Sequence, residues 1–430
     1  METFLPSYTS LEELREIQLK GLQWSVQHAY HGSEVYRQKF DKAGIAPADI
    51  KDLDDLRKLP LSSSQDLAEG YPFPFLSVPI DEVVRLHTSS GTTGKRKVLC
   101  YTKKDIEDWT HFFARCFEVG GLSTEDRIQI CVGYGLWTAG IGFQLACEKF
   151  GAMAVPVGPG NLEMQMEFLM DFESTVICCT ASMGLLLAEE VERKGLRDRV
   201  SLKKMIYGSE RSSDAMRQRI KSILGLSDMY DIPGMTELYG PGTGMECSMH
   251  EGMHYWADYY ILEIIDPETL LPVPNGEIGE MVVSTLQKEA VPLIRYRTRD
   301  ISYIIKEPCP CGLLIPRHGR LLGRTDDMFI IRGVNIFPSQ IDSVLREQDG
   351  IGSEYQVYLD RSKEGKDSIT LRIESASGSD ASADYETIES LRHMFKNKLF
   401  VTPQIEMVEY GTLPRSERKT QRVFDRRSGE

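Results

Sequence analysis

Between residues 100 and 300 the chain alternates short apolar runs with longer helical stretches, and this alternation restricts the fold more than any other feature. Residues 127–132, 152–157, 174–179 and 205–207 have the length and composition of strands, and 104–119 reads as a helix. Strands separated by helices pair in one direction, and such a sheet is apolar on both faces, so helices must cover both. The expectation is an α/β chain built on a largely parallel sheet. Ahead of it, Leu11, Leu14, Ile17, Leu22 and Val26 recur at helical spacing, predicting a helix over 11–30 that serves packing rather than chemistry.

At 430 residues the chain is long for one hydrophobic core. Its character changes after Asp300, where a Cys-Pro-Cys-Gly turn and a basic stretch run into residues 323–327 and the apolar MFIIRGVNIFP. We place the domain boundary near Asp326, giving an N-terminal domain of residues 1–325 and a C-terminal domain of residues 326–430. The latter combines strands at 355–359 and 368–373, a helix near 388–398 and a polar SASGSDASAD loop, a small α+β unit. No internal repeat is visible. Lys and Arg number 50 against 64 Asp and Glu, a net charge of -14 that argues against nucleic acid or an anionic membrane as partner. Any anion bound here must be held by a local site. The N-terminal twenty residues lack an apolar core of secretory length, and no run reaches the roughly 18 apolar residues of a membrane span. The expected location is the cytoplasm, where the nine cysteines read as reduced, mostly buried thiols.

Residues 88–97, Thr-Ser-Ser-Gly-Thr-Thr-Gly-Lys-Arg-Lys, hold the densest chemical signal. The hydroxyls of Ser89, Ser90, Thr92 and Thr93, the backbone N–H groups around Gly91 and Gly94, and the Lys95 ammonium can converge on one polyphosphate. A mononucleotide P-loop needs four residues between its glycines before Lys-Ser/Thr, whereas two separate Gly91 from Gly94 and Arg96 follows the lysine. The plain alternative is a polar surface loop.

This stretch resembles the phosphate loop of adenylate-forming enzymes, the superfamily of acyl-CoA synthetases, peptide-synthetase adenylation domains and luciferases. Other segments follow in that superfamily's order. Gly234-Met235-Thr236-Glu237 is similar to its adenine and magnesium motif, and Tyr296-Arg297-Thr298-Arg299-Asp300 to its ribose motif. Gly323-Arg324-Thr325-Asp326 is similar to its hinge, and Leu413-Pro414-Arg415-Ser416-Glu417-Arg418-Lys419 to the segment bearing its catalytic lysine. Within the superfamily the chain most resembles phenylacetate-CoA ligases, through YRQKFDKAGI, DLDDLRKLPLSSSQDL, HTSSGTTGKRKV, YGLWTAGIG, GPGNLEMQ, GPGTGMEC, IRYRTRD, GRTDDMFIIRGVNIFPSQI and GTLPRSERKTQR. The resemblance implies a large N-terminal adenylate-forming domain with mixed sheets covered by helices, plus a small mobile C-terminal α+β domain. The implied reaction uses ATP to turn a carboxylic acid into an acyl-adenylate and then a CoA thioester.

Both reactants of the first step are anions, so positioning and charge neutralisation must supply most of the catalysis. The resemblance assigns the β- and γ-phosphates to Ser89, Ser90, Gly91, Thr92, Thr93, Gly94 and Lys95, Mg²⁺ to Glu237, and the α-phosphate to Thr236. It assigns the ribose hydroxyls to Asp300, with Arg324 reaching ribose or phosphate. Gly208-Ser209-Glu210 follows a strand end and is expected beside adenine, with Asp231 and Met235 in the same nucleotide-binding set. Rotation about Asp326 would present Lys419 for adenylation and residues 332–335, Gly333 among them, for transfer to CoA. Two residues depart from the pattern. Pro233 stands where an aromatic usually opens the adenine motif, leaving Tyr230 or Tyr239 to stack on the base, and Arg418 replaces the glycine before the lysine. Tyr134 and Trp137, in YGLWTAG, are expected to line the acid pocket, and the bulk of Trp137 favours an aromatic or short acid.

Cys309-Pro310-Cys311-Gly312 is a short thiolate knuckle, and Cys247 with His250 or His254 would complete a tetrahedral set for a structural Zn²⁺ if the chain folds back. Free thiols are the alternative. His254 is preferred because Gly252-Met253-His254 resembles the family's pattern, and His318 is the spare candidate. Three rival functions share these motifs. One is a nucleotidyltransferase that adenylylates a deazaflavin coenzyme, the second an enzyme that loads a carrier-protein thiol instead of CoA, and the third a nucleotide-binding regulator without turnover. The joint retention of Lys419, Glu237 and Asp300 opposes the third. If the chain self-associates, a homodimer is the expected form.

Overall fold

The computed structural model describes residues 3–89, 97–210, 212, 214–327, 329–331, 334–345, 347–362, 366–376, 384–414 and 422–427. The chain divides into two compact units, one of Met1–Cys179, Leu196–Ser209 and Gly225–Leu321, the other of Thr180–Gly195, Glu210–Leu224 and Leu322–Glu430.

The first unit opens with the helices Leu11–Gly32 and Glu34–Ala43. The Ser10 and Ser33 hydroxyls accept from the N–H groups of Glu13 and Tyr36, meeting donors that a helix start leaves open. Leu14, Leu22 and Val26 are buried, as their spacing predicts, while Leu11 at the helix tip is exposed. The strands Met153–Val155, Arg127–Ile130, Val176–Thr180, Lys204–Gly208 and Asp228–Asp231 lie side by side in that order. Arg127–Ile130 pairs parallel with both neighbours, and Lys204–Gly208 pairs parallel with Asp228–Asp231. Helix Lys103–Val119, started by a reciprocal Thr102–Asp105 capping box, sends Trp109, Phe112, Phe113 and Phe117 into the core with Ile128, Ile130 and Val176.

The parallel pattern does not extend to residue 300. Tyr260–Ile265, Gly279–Thr285 and Tyr296–Ser302 pair antiparallel, and Gly244–Glu246, Met253–Tyr255, Arg317–His318 and Ile304–Ile305 form a second antiparallel sheet. Among the described residues no helix connects these strands, and antiparallel neighbours need only a returning turn. One such turn is closed by Asp266, whose carboxylate accepts from the N–H groups of Glu268 and Thr269.

In the second unit Gln404–Val408, Asp367–Ser375, Ile351–Arg361 and Val423–Asp425 form a mixed sheet in that order. Its central pair is antiparallel and its outer pairs are parallel. Val357, Leu359, Leu371 and Ile373 pack with Leu391 and Phe395 of helix Asp384–Leu399 and with Ile341 and Val344 of helix Pro338–Leu345. This is the α+β layout expected of the C-terminal region. Among the described residues no helix is long and apolar enough to cross a membrane.

Candidate active site

Strand Asp228–Asp231 delivers the chain to Gly234-Met235-Thr236-Glu237. Gly234 and Met235 pair antiparallel with Pro241 and Gly240. The Met235 carbonyl accepts from Leu238 N–H at 3.1 Å and Tyr239 N–H at 3.3 Å, so residues 236–239 form a tight turn. Gly240 returns the chain at φ +135°, where a Cβ would meet the Trp109 ring at 2.6 Å; only glycine fits. The Thr236, Glu237 and Tyr239 carbonyls are held from distant segments. The Tyr101 hydroxyl lies 3.2 Å from Thr236 O and 2.8 Å from Tyr239 O, and Lys288 Nζ lies 2.9 Å from Glu237 O.

The Glu237 carboxylate is buried and meets Lys97 Nζ at 2.6 Å and the Tyr296 hydroxyl at 3.4 Å. An enclosed charge requires such partners. Lys97 closes the basic cluster after the phosphate loop, at the head of strand Val98–Tyr101, which pairs antiparallel with Arg85–Thr88. Ser89 N–H donates to Lys97 O at 3.1 Å, so Ser89 and Lys97 extend the pairing of this hairpin, and Lys97 stands beside Glu237. Ser89 Oγ is buried and has no partner among the described residues. Ser90, Gly91, Thr92, Thr93, Gly94, Lys95, Gly333 and Lys419 lie outside the described residues. Lys97, Tyr101 and Lys288 were not among the residues singled out from the sequence, because no local pattern joins them to a turn more than a hundred positions away or across a sheet.

Asp300 is half-buried on strand Tyr296–Ser302, and its N–H donates to Thr298 Oγ1 at 3.0 Å. Arg297 of the same motif is committed to the sheet, with a bidentate pair to the buried Glu280 at 2.9 and 2.7 Å. Asp231 N–H donates to Glu246 Oε2 at 3.1 Å. Ser209, just past the end of strand Lys204–Gly208, has φ +71°, an uncommon backbone state for a residue with a side chain. The Glu210 carboxylate accepts from Ser182 N–H. Tyr230 packs on the His250 ring at 5.9 Å and Tyr239 on Phe112 at 5.1 Å; both rings are buried, so neither is an open platform for a base. Arg324 forms a bidentate pair with Asp326 at 2.9 and 2.9 Å, joining the expected ribose contact to the expected hinge. Tyr134 and Trp137 are half-buried, and the Tyr134 hydroxyl has no partner among the described residues. The Trp137 ring lies against Gly133, where a Cβ would approach it to 2.5 Å.

Away from this turn, Cys247, His254, Cys309 and Cys311 bring their ligand atoms within 4.8 Å of one another. Cys247 Sγ is 3.6 Å from Cys309 Sγ, and Cys311 Sγ is 3.4 Å from His254 Nε2. A tetrahedron with metal–sulfur bonds of about 2.3 Å and metal–nitrogen bonds of about 2.0 Å has edges of about 3.5–3.8 Å. Both pairs match within a few tenths of an ångström. His254 Nδ1–H donates to Ile315 O at 2.8 Å, which directs the Nε2 lone pair into the cluster. His250 instead bridges Asp228 and Glu246 at 2.9 and 3.2 Å, and His318 Nδ1–H donates to Gly319 O at 2.7 Å. Three thiolates and one imidazole suit zinc.

Residues 26–287 match the family described as AMP-binding enzyme, and residues 333–427 match the AMP-binding enzyme C-terminal domain. The chain is 39% identical over 425 residues to the phenylacetate-coenzyme A ligase of Escherichia coli (strain K12), covering 97% of this chain and 96% of that protein. It superposes with TM-score 0.88, at 26% identity, on 2-hydroxyisobutyryl-CoA ligase in the postadenylation state in complex with R3-HIB-AMP, covering 97% of this chain and 90% of that one. The same ligase in complex with 2-HIB-AMP and CoA superposes with TM-score 0.71 at 27% identity, covering 99% and 91%. Fold and site together define an adenylate-forming ligase. The chain belongs to the AMP-binding enzyme family, and within it to the AMP-forming acid–CoA ligases.

Proposed function

We propose that this ligase acts on phenylacetate or a similarly small aromatic acid, converting acid, ATP and CoA into the acyl-CoA thioester, AMP and pyrophosphate. In the first half-reaction a carboxylate oxygen attacks the α-phosphorus and the bond to the pyrophosphate oxygen breaks. In the second the CoA thiolate attacks the acyl carbon, the bond to AMP breaks with its electron pair leaving on AMP, and the thiol proton passes to solvent. The observation that carries this reading is the Thr236–Glu237 turn, built beside the base of the phosphate loop and anchored by Lys97, Tyr101 and Lys288. The near full-length likeness to a phenylacetate-coenzyme A ligase supports the acid class.

In this reading Glu237 holds Mg²⁺, which when bound neutralises phosphate oxygens, and Lys97 is the counter-charge already at that carboxylate. Thr236 faces the α-phosphate, Ser89 through Lys95 the remaining phosphates, and Asp300 the ribose hydroxyls. Gly208, Ser209, Glu210, Asp231 and Met235 border the base, with Arg324 near ribose or phosphate. Lys419 bridges the acid and α-phosphate oxygens in the transition state. Residues 326–430 turn about Asp326 between the half-reactions, bringing Gly333 toward CoA. Tyr134 and Trp137 line the acid pocket. Cys247, His254, Cys309 and Cys311 hold a structural zinc that ties the 309–312 turn to strand Met253–Tyr255. None of the nine cysteines, all among the described residues, forms a disulfide, which suits a reducing compartment, so we place the enzyme in the cytoplasm.

The test is acid-dependent ATP–pyrophosphate exchange over a panel of arylacetic, benzoic and short aliphatic acids, without CoA. Exchange led by an arylacetic acid is expected. Exchange led by an aliphatic acid contradicts the acid class, and none with any acid contradicts the reading as a whole.

A further inference from the structure

Lys288 follows strand Gly279–Thr285, and its side chain is fully enclosed. An ammonium carries three N–H donors. Here one meets Glu237 O at 2.9 Å, and the Tyr101 and Tyr239 ring centroids lie 5.1 and 5.0 Å from Nζ, a distance at which aromatic faces attract a cation. The backbone behind it is pinned as well. Asp105, itself buried, accepts from Glu289 N–H at 2.7 Å, Ala290 N–H at 2.9 Å and Thr102 N–H at 3.0 Å. Two of these donors are the residues directly after Lys288. A chain of contacts thus runs from Asp105 through the Lys288 backbone and ammonium to the carbonyl of Glu237. That ammonium and the Tyr101 hydroxyl together hold the inward carbonyls of the turn.

We propose that Lys288 is a positioning residue for adenylation: by holding the Glu237 carbonyl it sets where the Glu237 carboxylate and the Thr236 hydroxyl stand toward the nucleotide. The proposal rests on the roles of Glu237 and Thr236 given under Proposed function. Its signature is a split between the half-reactions: adenylation needs the turn that the ammonium holds, and thioester formation from ready-made acyl-adenylate does not.

Acid-dependent ATP–pyrophosphate exchange and thioester formation from synthetic acyl-adenylate are measured in the wild type, Lys288→Met and Asp105→Asn, each checked for folding by its melting curve. Lys288→Met should lose about 10- to 100-fold in kcat for exchange, with little change in the KM for the acid, while its thioester formation stays within about threefold of the wild type. Asp105→Asn loosens the backbone directly after Lys288 and should lower the exchange kcat in the same sense. Wild-type exchange kcat in Lys288→Met, or an equal loss in both half-reactions, overturns the proposal; if Lys288→Met fails to fold, wild-type exchange kcat in Asp105→Asn overturns it. Absence of exchange in the wild type instead overturns the underlying roles of Glu237 and Thr236, and this proposal with them.

Discussion

Replacing Glu237 with glutamine separates what the carboxylate does for folding from what it does for chemistry. The amide keeps the shape and removes the charge. In the structure that charge meets Lys97 at 2.6 Å, with side-chain exposures of 9% for Glu237 and 26% for Lys97. A hydrogen bond between charged groups contributes about 1.5–3 kcal/mol to folding. Lys97 is exposed enough to recover water, so the folding cost of Glu237→Gln falls at the low end, about 1.5 kcal/mol. In a chain this long such a loss lowers Tm by about 2 °C. The chemical cost is larger, because loss of one preorganised electrostatic contact costs about 10²–10³ in rate. Glu237→Gln should therefore melt within a few degrees of the wild type by scanning fluorimetry while its ATP–pyrophosphate exchange falls by that factor. Thioester formation from synthetic acyl-adenylate should drop far less. An exchange rate within about threefold of the wild type would remove Glu237 from the phosphate chemistry.

Protein purified without added metal should carry about one zinc per chain by elemental analysis, and His254→Ala should lower that stoichiometry and the melting temperature together; wild-type protein with none contradicts the four-ligand site. Arg115 is enclosed, pairs with both oxygens of Asp258 at 2.9 Å, donates to Phe4 O at 2.7 Å and lies 4.9 Å from the centre of the Trp256 ring. Arg115→Met strands these acceptors and should cost about 3–5 kcal/mol in denaturant unfolding; a loss under about 1 kcal/mol contradicts the pairing as a core contact. His250 is held up to about 9 by its hydrogen bonds to Asp228 and then Glu246. A raised folded value contributes stability that is complete below the ordinary imidazole range and lost as pH rises through about 9. The stability gap between the wild type and His250→Gln should thus be widest near pH 6 and close by pH 9.5; a gap that stays constant would show that the imidazole is neutral throughout.

The apolar runs predicted four strands of the parallel sheet to within two residues at each end, and helix 104–119 to within one, because buried parallel strands and an amphipathic helix each leave a local pattern. The fifth strand, Asp228–Asp231, was not among them. It carries two aspartates, and what makes it a strand is pairing with Lys204–Gly208. The antiparallel strands of 260–302 escaped for a related reason: direction of pairing is set by the connections, not by the apolar residues. At the site, Thr236, Glu237 and the zinc-type ligands stood in readable motifs, and His254 rather than His250 joins the cysteines. The groups that hold the turn did not. Tyr101, Asp105 and Lys288 look like core and helix-start residues until the sheet brings them to the Thr236 and Glu237 carbonyls. Lys97 reads as one more cation of the loop until it meets Glu237.

The most direct test of the ligase assignment is to incubate the enzyme with phenylacetate, ATP, Mg²⁺ and CoA and quantify products by mass spectrometry. AMP, pyrophosphate and phenylacetyl-CoA in equal amounts, with no thioester when ATP is omitted, is the predicted result. ADP as the nucleotide product, or AMP left attached to an acceptor with no thioester formed, would contradict it.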